Sequence, residues 1–251
     1  MTGDITRMRT LLPEAAKFAR PPVSNFFVGA VVRGTTTGNL YLGANLEFAG
    51  EALSFTVHAE QSAVTNAWIH GEQGIDLLAV TAAPCGYCRQ FLNELSTAET
   101  LRISINDEEL HPLADFLPRA FGPRDLGIQA GLMAPADHGL RIKETDELAQ
   151  AALRAANRSY APYSRSFAGV ALRAADGAIH IGPYAENAAF NPSMSPLQVA
   201  LSALNLAGGD FARIEEAVLV EAEPAMHESA ARTVLATVSR APLRVVRARV
   251  S

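Results

Sequence analysis

His58-Ala59-Glu60-Gln61-Ser62-Ala63-Val64-Thr65-Asn66-Ala67-Trp68-Ile69-His70-Gly71, then Asp76-Leu77-Leu78-Ala79-Val80-Thr81, then Pro84-Cys85-Gly86-Tyr87-Cys88: this stretch decides the fold. Ala59, Ala63, Ala67 and Trp68 recur at helical spacing and Gly71 supplies a stop, so the spacing predicts a helix over 58–71. The run 76–81 is short and apolar, and Phe91, Leu92 and Leu95 mark a second helix over 85–95. Helix, strand and helix in succession make an α/β unit, with helices packed against a sheet. Both helices begin at the residues richest in chemistry. Their unpaired N–H groups and positive dipole ends favour thiolate, the form of cysteine that binds metal.

His58, Cys85 and Cys88 are three soft metal ligands. A catalytic zinc site takes three protein ligands and keeps its fourth position open for water, whose pKa the metal lowers towards neutrality. Glu60, two residues from His58, is free to carry protons without joining the metal. A purely structural zinc would want a fourth ligand, and the chain has only two cysteines. Read alone, Cys-Gly-Tyr-Cys also resembles the redox loop of thioredoxin-like oxidoreductases. Those loops usually carry an aromatic residue ahead of the first cysteine, where this chain has Ala83-Pro84, and a redox reading leaves His58 and Glu60 unused.

The 251 residues, 49% hydrophobic and 19% charged, can form one large or two ordinary packed domains. Two cysteines give no disulfide framework. A secretory leader and an apolar run long enough for a bilayer are both lacking from the pattern, so the cytoplasm is the expected compartment. A net charge of −5 offers no basic stripe for phosphates. This argues against nucleic acid and for a small neutral ligand. Elsewhere, strands are expected over 28–34 and 40–47 around the turn 35–39, a strand over 101–106, a helix over 108–117, and a connector over 121–137.

Past that connector the sequence begins again. Pro21-Pro22-Val23-Ser24-Asn25-Phe26-Phe27-Val28-Gly29 is echoed by Ala161-Pro162-Tyr163-Ser164-Arg165-Ser166-Phe167-Ala168-Gly169, and Gly43-Ala44-Asn45-Leu46-Glu47 by Gly182-Pro183-Tyr184-Ala185-Glu186. His58-Ala59-Glu60-Gln61 falls on Ser195-Pro196-Leu197-Gln198. The metal positions are lost: Ser195 answers His58, Leu197 answers Glu60, and Ala225 and Glu228 answer Cys85 and Cys88. Ser195 followed by Pro196 is a strong helix start, so the helix survives while its reactive end becomes a cap. The expected organisation is a metal-binding domain over 1–125, a connector over 126–143 and a degenerate copy over 144–251.

The His-x-Glu…Pro-Cys-x-x-Cys spacing is the recognised signature of zinc nucleobase deaminases. Together with Ser24-Asn25-Phe26, Gly43-Ala44-Asn45-Leu46-Glu47-Phe48, Ala120-Phe121-Gly122-Pro123 and Tyr184-Ala185-Glu186-Asn187-Ala188-Ala189-Phe190-Asn191-Pro192, it makes the chain resemble the two-domain, homodimeric bacterial cytidine deaminases over nearly its whole length. The segment of about 20 residues ahead of the first strand is shorter than that group's helical N-terminus. The resemblance implies two tandem three-layer α/β/α domains with mixed sheets, the second degenerate. It also implies hydrolytic deamination of cytidine and 2′-deoxycytidine in pyrimidine salvage, with one zinc per chain on His58, Cys85 and Cys88 and with Glu60 shuttling protons.

Carried over residue by residue, the resemblance makes Asn45 and Glu47 the ribose ligands and Phe26 the ring that packs on the pyrimidine, with Ala59 also at the substrate. A homodimer is implied too, in which the 120–123 loop, led by Phe121, and the 186–189 segment of one chain close the other chain's pocket. On residues alone, Asn45 and Glu47 also read as a polar pair at a strand end, Phe26 as core and Phe121 as connector packing. The backbone of 81–84 offers candidate carbonyls for the exocyclic amine. His70 reads as a helix C-cap, Trp68 as core or interface, and His111, His138, His180 and His227 have no ligand-like partner. Two rivals stay open: a deaminase of another substrate, such as tRNA or a free base, and a zinc-structured binding protein without turnover.

Overall fold

In the structure, a computed structural model that describes residues 2–250, the chain divides into two compact units. Unit 1 comprises the chain up to Glu47 with Thr56–Ala134 and Asn187–Ser193. Unit 2 comprises Phe48–Phe55, Pro135–Glu186 and the chain from Met194 onward.

Unit 1 runs α1 (Thr2–Ala16), β1 (Gly29–Gly34), β2 (Leu40–Ala44), α2 (Ala59–Ile69), β3 (Ile75–Val80), α3 (Gly86–Leu92), β4 (Arg102–Ile105), β5 (His111–Pro112) and α4 (Leu113–Phe116). Its sheet has the order β2-β1-β3-β4-β5, with β3 and β4 parallel and the other pairs antiparallel. Ile5, Met8, Leu12 and Ala15 form one helical stripe on α1 and bury against Val31, Leu77 and Ala79. Successive strand residues point to opposite faces. The next residues along, Ala30 and its partner Gly43, therefore face away from α1 and towards α2. A Cβ on Gly43 would run into the α2 backbone at Ala63, and one on Gly29 into α1 at Ala16, so both helices sit close enough to require glycine. The layers are α, β, α.

Unit 2 repeats this plan. After β6 (Leu140–Arg141) come α5 (Glu147–Asn157), β7 (Ala168–Ala174), β8 (Ile179–Pro183), α6 (Pro196–Leu206), β9 (Ile214–Ala222), α7 (Glu228–Val238) and β10 (Leu243–Val250). The order β8-β7-β9-β10-β6 matches that of unit 1, again with one parallel pair, β9 with β10. Gly169 against Ala156 of α5 and Gly182 against α6 repeat the two close approaches. The edge strand has changed source: β5 follows β4 in the chain, whereas β6 precedes the other strands of its sheet. The core gathers Leu148, Ala152 and Ala156 of α5 on Ala171, Val218 and Val220. Ser195 caps α6, accepting from Gln198 N at 3.3 Å, as the Ser-Pro start predicts.

Two expectations are corrected. Residues 108–117 hold the two-residue strand β5 and the single turn α4 instead of one helix, because Pro112 has no N–H to give a helix and disfavours helical backbone at His111. The strand expected over 40–47 is regular only to Ala44. Beyond it Leu46 pairs with both Arg20 and Val57, which keeps Asn45 to Glu47 extended.

Candidate active site

His58 is the N-cap of α2 and Cys85 the N-cap of α3, while Cys88 lies in the first turn of α3. The ligand atoms of His58, Cys85 and Cys88 all lie within 4.8 Å of one another, the only such cluster among the described residues. Cys85 Sγ is 3.6 Å from His58 Nδ1. Two ligands of one tetrahedral zinc, at its usual bond lengths, are separated by about 3.6 Å, so the donor set fits the ion in chemistry and in spacing.

The electrostatics of the three ligands are coupled. The Cys88 sulfhydryl hydrogen-bonds to Cys85 and, with His58 adding to it against the opposing effect of burial, brings the Cys85 thiol down to about 3. The same bond to Cys85 raises Cys88, whose burial adds to the shift. The bond to Cys85 likewise raises His58. Glu60 is buried beside Cys88, and its desolvation pushes the carboxyl above its ordinary range in spite of a hydrogen bond from Cys88. A buried carboxyl next to a metal cradle is placed for proton transfer.

The other expected residues are each engaged in their own local surroundings. Ala59 is buried as the first residue of α2. Asn45 is also buried, and its amide is engaged with a loop: Nδ2 donates to Phe26 O at 2.9 Å and Oδ1 accepts from Val28 N at 2.9 Å. The Glu47 carboxylate accepts from Val23 N at 2.8 Å and Ser24 N at 2.9 Å, with a further short bond from Ser24 Oγ. Burial pushes that carboxyl up, but the bonds from Ser24 and Val23 outweigh it and hold it below its ordinary value. Both residues thus shape the 23–28 loop, which presents Phe26 with 60% of its surface exposed. Phe121 is exposed too, its carbonyl accepting from Gln90 Nε2 and Asn93 Nδ2. Among the candidate carbonyls, Pro84 O accepts from Arg89 Nε at 2.7 Å. Trp68 is core and His70 is the C-cap of α2.

Gln61, Tyr87 and the 187–193 segment complete the surroundings, and Asn187 and Ala188, expected to close a partner's pocket, are here bound to α3 and Glu94 of their own chain. Gln61 accepts from His58 N at 3.1 Å and donates to Pro192 O at 3.1 Å. Tyr87 stacks on the His58 ring with centroids 5.4 Å apart and donates to Asn191 O. Asn187 Nδ2 donates to Gln90 O and Ala188 N to Glu94, which ties the 187–193 segment to α3 and its C-terminal end. Gln61 had a sequence signal, a capping-box spacing from His58 repeated at Ser195 and Gln198. The hydroxyl of Tyr87 had none.

A three-ligand metal cradle at two helix starts, with a buried carboxyl beside it that stands outside the ligand set, defines a zinc hydrolase of the deaminase class. Family models described as "Cytidine and deoxycytidylate deaminase zinc-binding region" match residues 1–103 and 113–233. Proteins named cytidine deaminase from Photobacterium profundum and Vibrio vulnificus are 54% and 52% identical, over 84% and 88% of this chain and 71% and 74% of theirs. A crystal structure of cytidine deaminase from Mycobacterium tuberculosis is 31% identical, with a TM-score of 0.43, over 47% of this chain and 98% of that one. The chain belongs to the cytidine deaminase family.

Proposed function

We propose that this chain hydrolyses cytidine and 2′-deoxycytidine to uridine and 2′-deoxyuridine plus ammonia, serving pyrimidine salvage. The observation that carries the reading is the convergence of His58, Cys85 and Cys88 with the buried carboxyl of Glu60. His58, Cys85 and Cys88 hold one zinc, which when bound supplies Lewis-acid activation of water. Glu60 would move both protons of the attacking water, one to N3 of the pyrimidine and the other to the departing amine, so that cytidine and water give uridine and ammonia. Phe26 packs on the base beside Ala59. The polar capacity that Asn45 and Glu47 retain after holding the loop turns to the ribose hydroxyls.

Residues 1–125 carry the chemistry in this reading and 144–251 the silent copy. Among the described residues no helix is long and apolar enough to cross a membrane. The two free cysteines fit a reducing cytoplasm. Two chains pair, and exposed Val23, Phe26, Phe27 and Phe121 support such an association, with Phe121 as an apolar lid on the partner's pocket. Sedimentation should give a dimer. Ammonia release from cytidine by the purified chain tests the activity directly. A chain that acts on cytosine or tRNA but not on cytidine would transfer the site to the first rival, and absence of turnover with zinc bound would transfer it to the second. A truncation at residue 140 keeps every ligand but removes the 187–193 segment from α2 and α3. It should be inactive or insoluble.

A further inference from the structure

Tyr87 sits between the two metal-ligating cysteines in sequence, yet its hydroxyl is committed to a segment about a hundred residues further along the chain. The 187–193 segment that receives it is a preformed turn: Asn187 N donates to Ser193 Oγ at 2.9 Å, Phe190 N to Asn187 O, and Asn191 N to Ala189 O. Asn187 and Glu94 are fully buried where the segment joins α3. Two adjacent carbonyls of this turn, those of Asn191 and Pro192, each accept from a side chain that also touches His58. Gln61 reaches the His58 backbone, and Tyr87 lies against the imidazole itself.

The two supports differ in kind. Unit 2 has lost the metal ligands but keeps the glutamine bridge: Gln198 accepts from Ser195 N at 2.9 Å and donates to Phe55 O at 2.8 Å. The glutamine therefore serves the helix start whether or not a metal is held there. The tyrosine contact belongs to the copy with the ligands. A ring fixed at its hydroxyl and laid against an imidazole restricts that imidazole's rotation, and groups that orient a metal-binding histidine without touching the metal set how tightly the metal is held.

We propose that Tyr87 is a positioning residue for His58, anchored by the Asn191 carbonyl, and that it slows loss of the metal. The proposal rests on the zinc reading above. The test follows zinc release from the full-length, zinc-loaded chain to an excess of a chromogenic chelator at neutral pH. Tyr87→Phe keeps the ring and loses only the anchor, and it should release zinc about tenfold faster. Tyr87→Leu should be faster still, while Gln198→Leu should stay within about twofold of wild type. Tyr87→Phe should also lower kcat more than it raises KM, since the nucleoside contacts remain. Both Tyr87 variants releasing zinc at the wild-type rate would overturn the proposal and leave the zinc site standing. A wild-type chain that binds no zinc would overturn both.

Discussion

The loop before β1 in unit 1 and its counterpart before β7 in unit 2 are held by the same device. In one, Glu47 accepts from Val23 N and Ser24 N, Ser24 Oγ accepts from Phe26 N at 3.1 Å, and Asn25 takes a φ of 54°. In the other, Glu186 accepts from Tyr163 N and Ser164 N, Ser164 Oγ accepts from Ser166 N at 3.1 Å, and Arg165 takes a φ of 59°. Even the left-handed backbone is kept where an arginine must pay for it. What has changed is the set of side chains carried on that frame. Phe26 is answered by Ser166, Asn45 by Tyr184, His58 by Ser195 and Glu60 by Leu197, while His227 packs on Tyr184 at the start of α7 with ring centroids 4.3 Å apart. The skeleton and the chemistry are thus separable. A residue kept in both copies, such as Glu47, has a structural duty in each, whereas Glu60 and the metal ligands are kept only in unit 1, which is where the proposed reaction places them.

The sharpest way to break this comparison is at Glu60. Glu60→Ala should retain zinc and lose turnover by on the order of 10⁴-fold, because only proton transfer is removed, and ammonia release with parallel metal analysis reads both. A loss of less than tenfold would place the proton elsewhere. Next is Asn45→Ala, which should raise KM for cytidine about tenfold or more while leaving any activity on free cytosine unchanged. Equal losses on both would confine Asn45 to the loop. The paired glutamates sharpen the contrast. Glu186→Ala should lower stability by about 1–3 kcal/mol through its orphaned loop N–H groups, seen as a lower melting temperature with KM unchanged. Glu47→Ala should do this and weaken cytidine binding as well. A raised KM in the Glu186 variant would contradict the division of roles.

The smallest effect concerns pH. Burial lowers the pKa of His227 more than the nearby Ser166 carbonyl and the charges of Glu221 and Glu186 raise it, so the folded chain holds this ring neutral. Its stabilising share is complete above the unfolded value of about 6.5 and is lost as pH falls from there through the depressed folded value, since the unfolded chain takes up the proton first. Melting temperature should decline over that window, and His227→Asn should flatten the decline. A variant with an unchanged slope would assign it to other groups.

Most of the architecture was legible in the sequence because the helical spacing of α2, the apolar run of β3 and the Ser195-Pro196 start are local signals. The repeat was legible for a similar reason, since glycines at 29, 43, 169 and 182 answer to close helix approach and cannot drift. The metal ligands were legible because zinc demands particular donors at particular spacing. Four things were not. Pro112 divides what composition suggested was one helix, and β6 takes its edge position from the wrong side of its unit, which no local pattern encodes. Asn45 and Glu47 read as ligand-facing polar groups, but their first partners are loop N–H and carbonyl groups that only folding brings near. The attachment of 187–193 to α2 and α3 joins residues 94 to 131 positions apart, largely through backbone carbonyls, and a carbonyl leaves no mark in a sequence.

The central claim is that one copy holds the metal and does the chemistry while the other keeps only the frame. Elemental analysis of the purified full-length chain tests it most directly. About one zinc per chain should be found, falling to none when Cys85 and Cys88 are both replaced by alanine. Two zincs per chain, or one that survives that replacement, would contradict it.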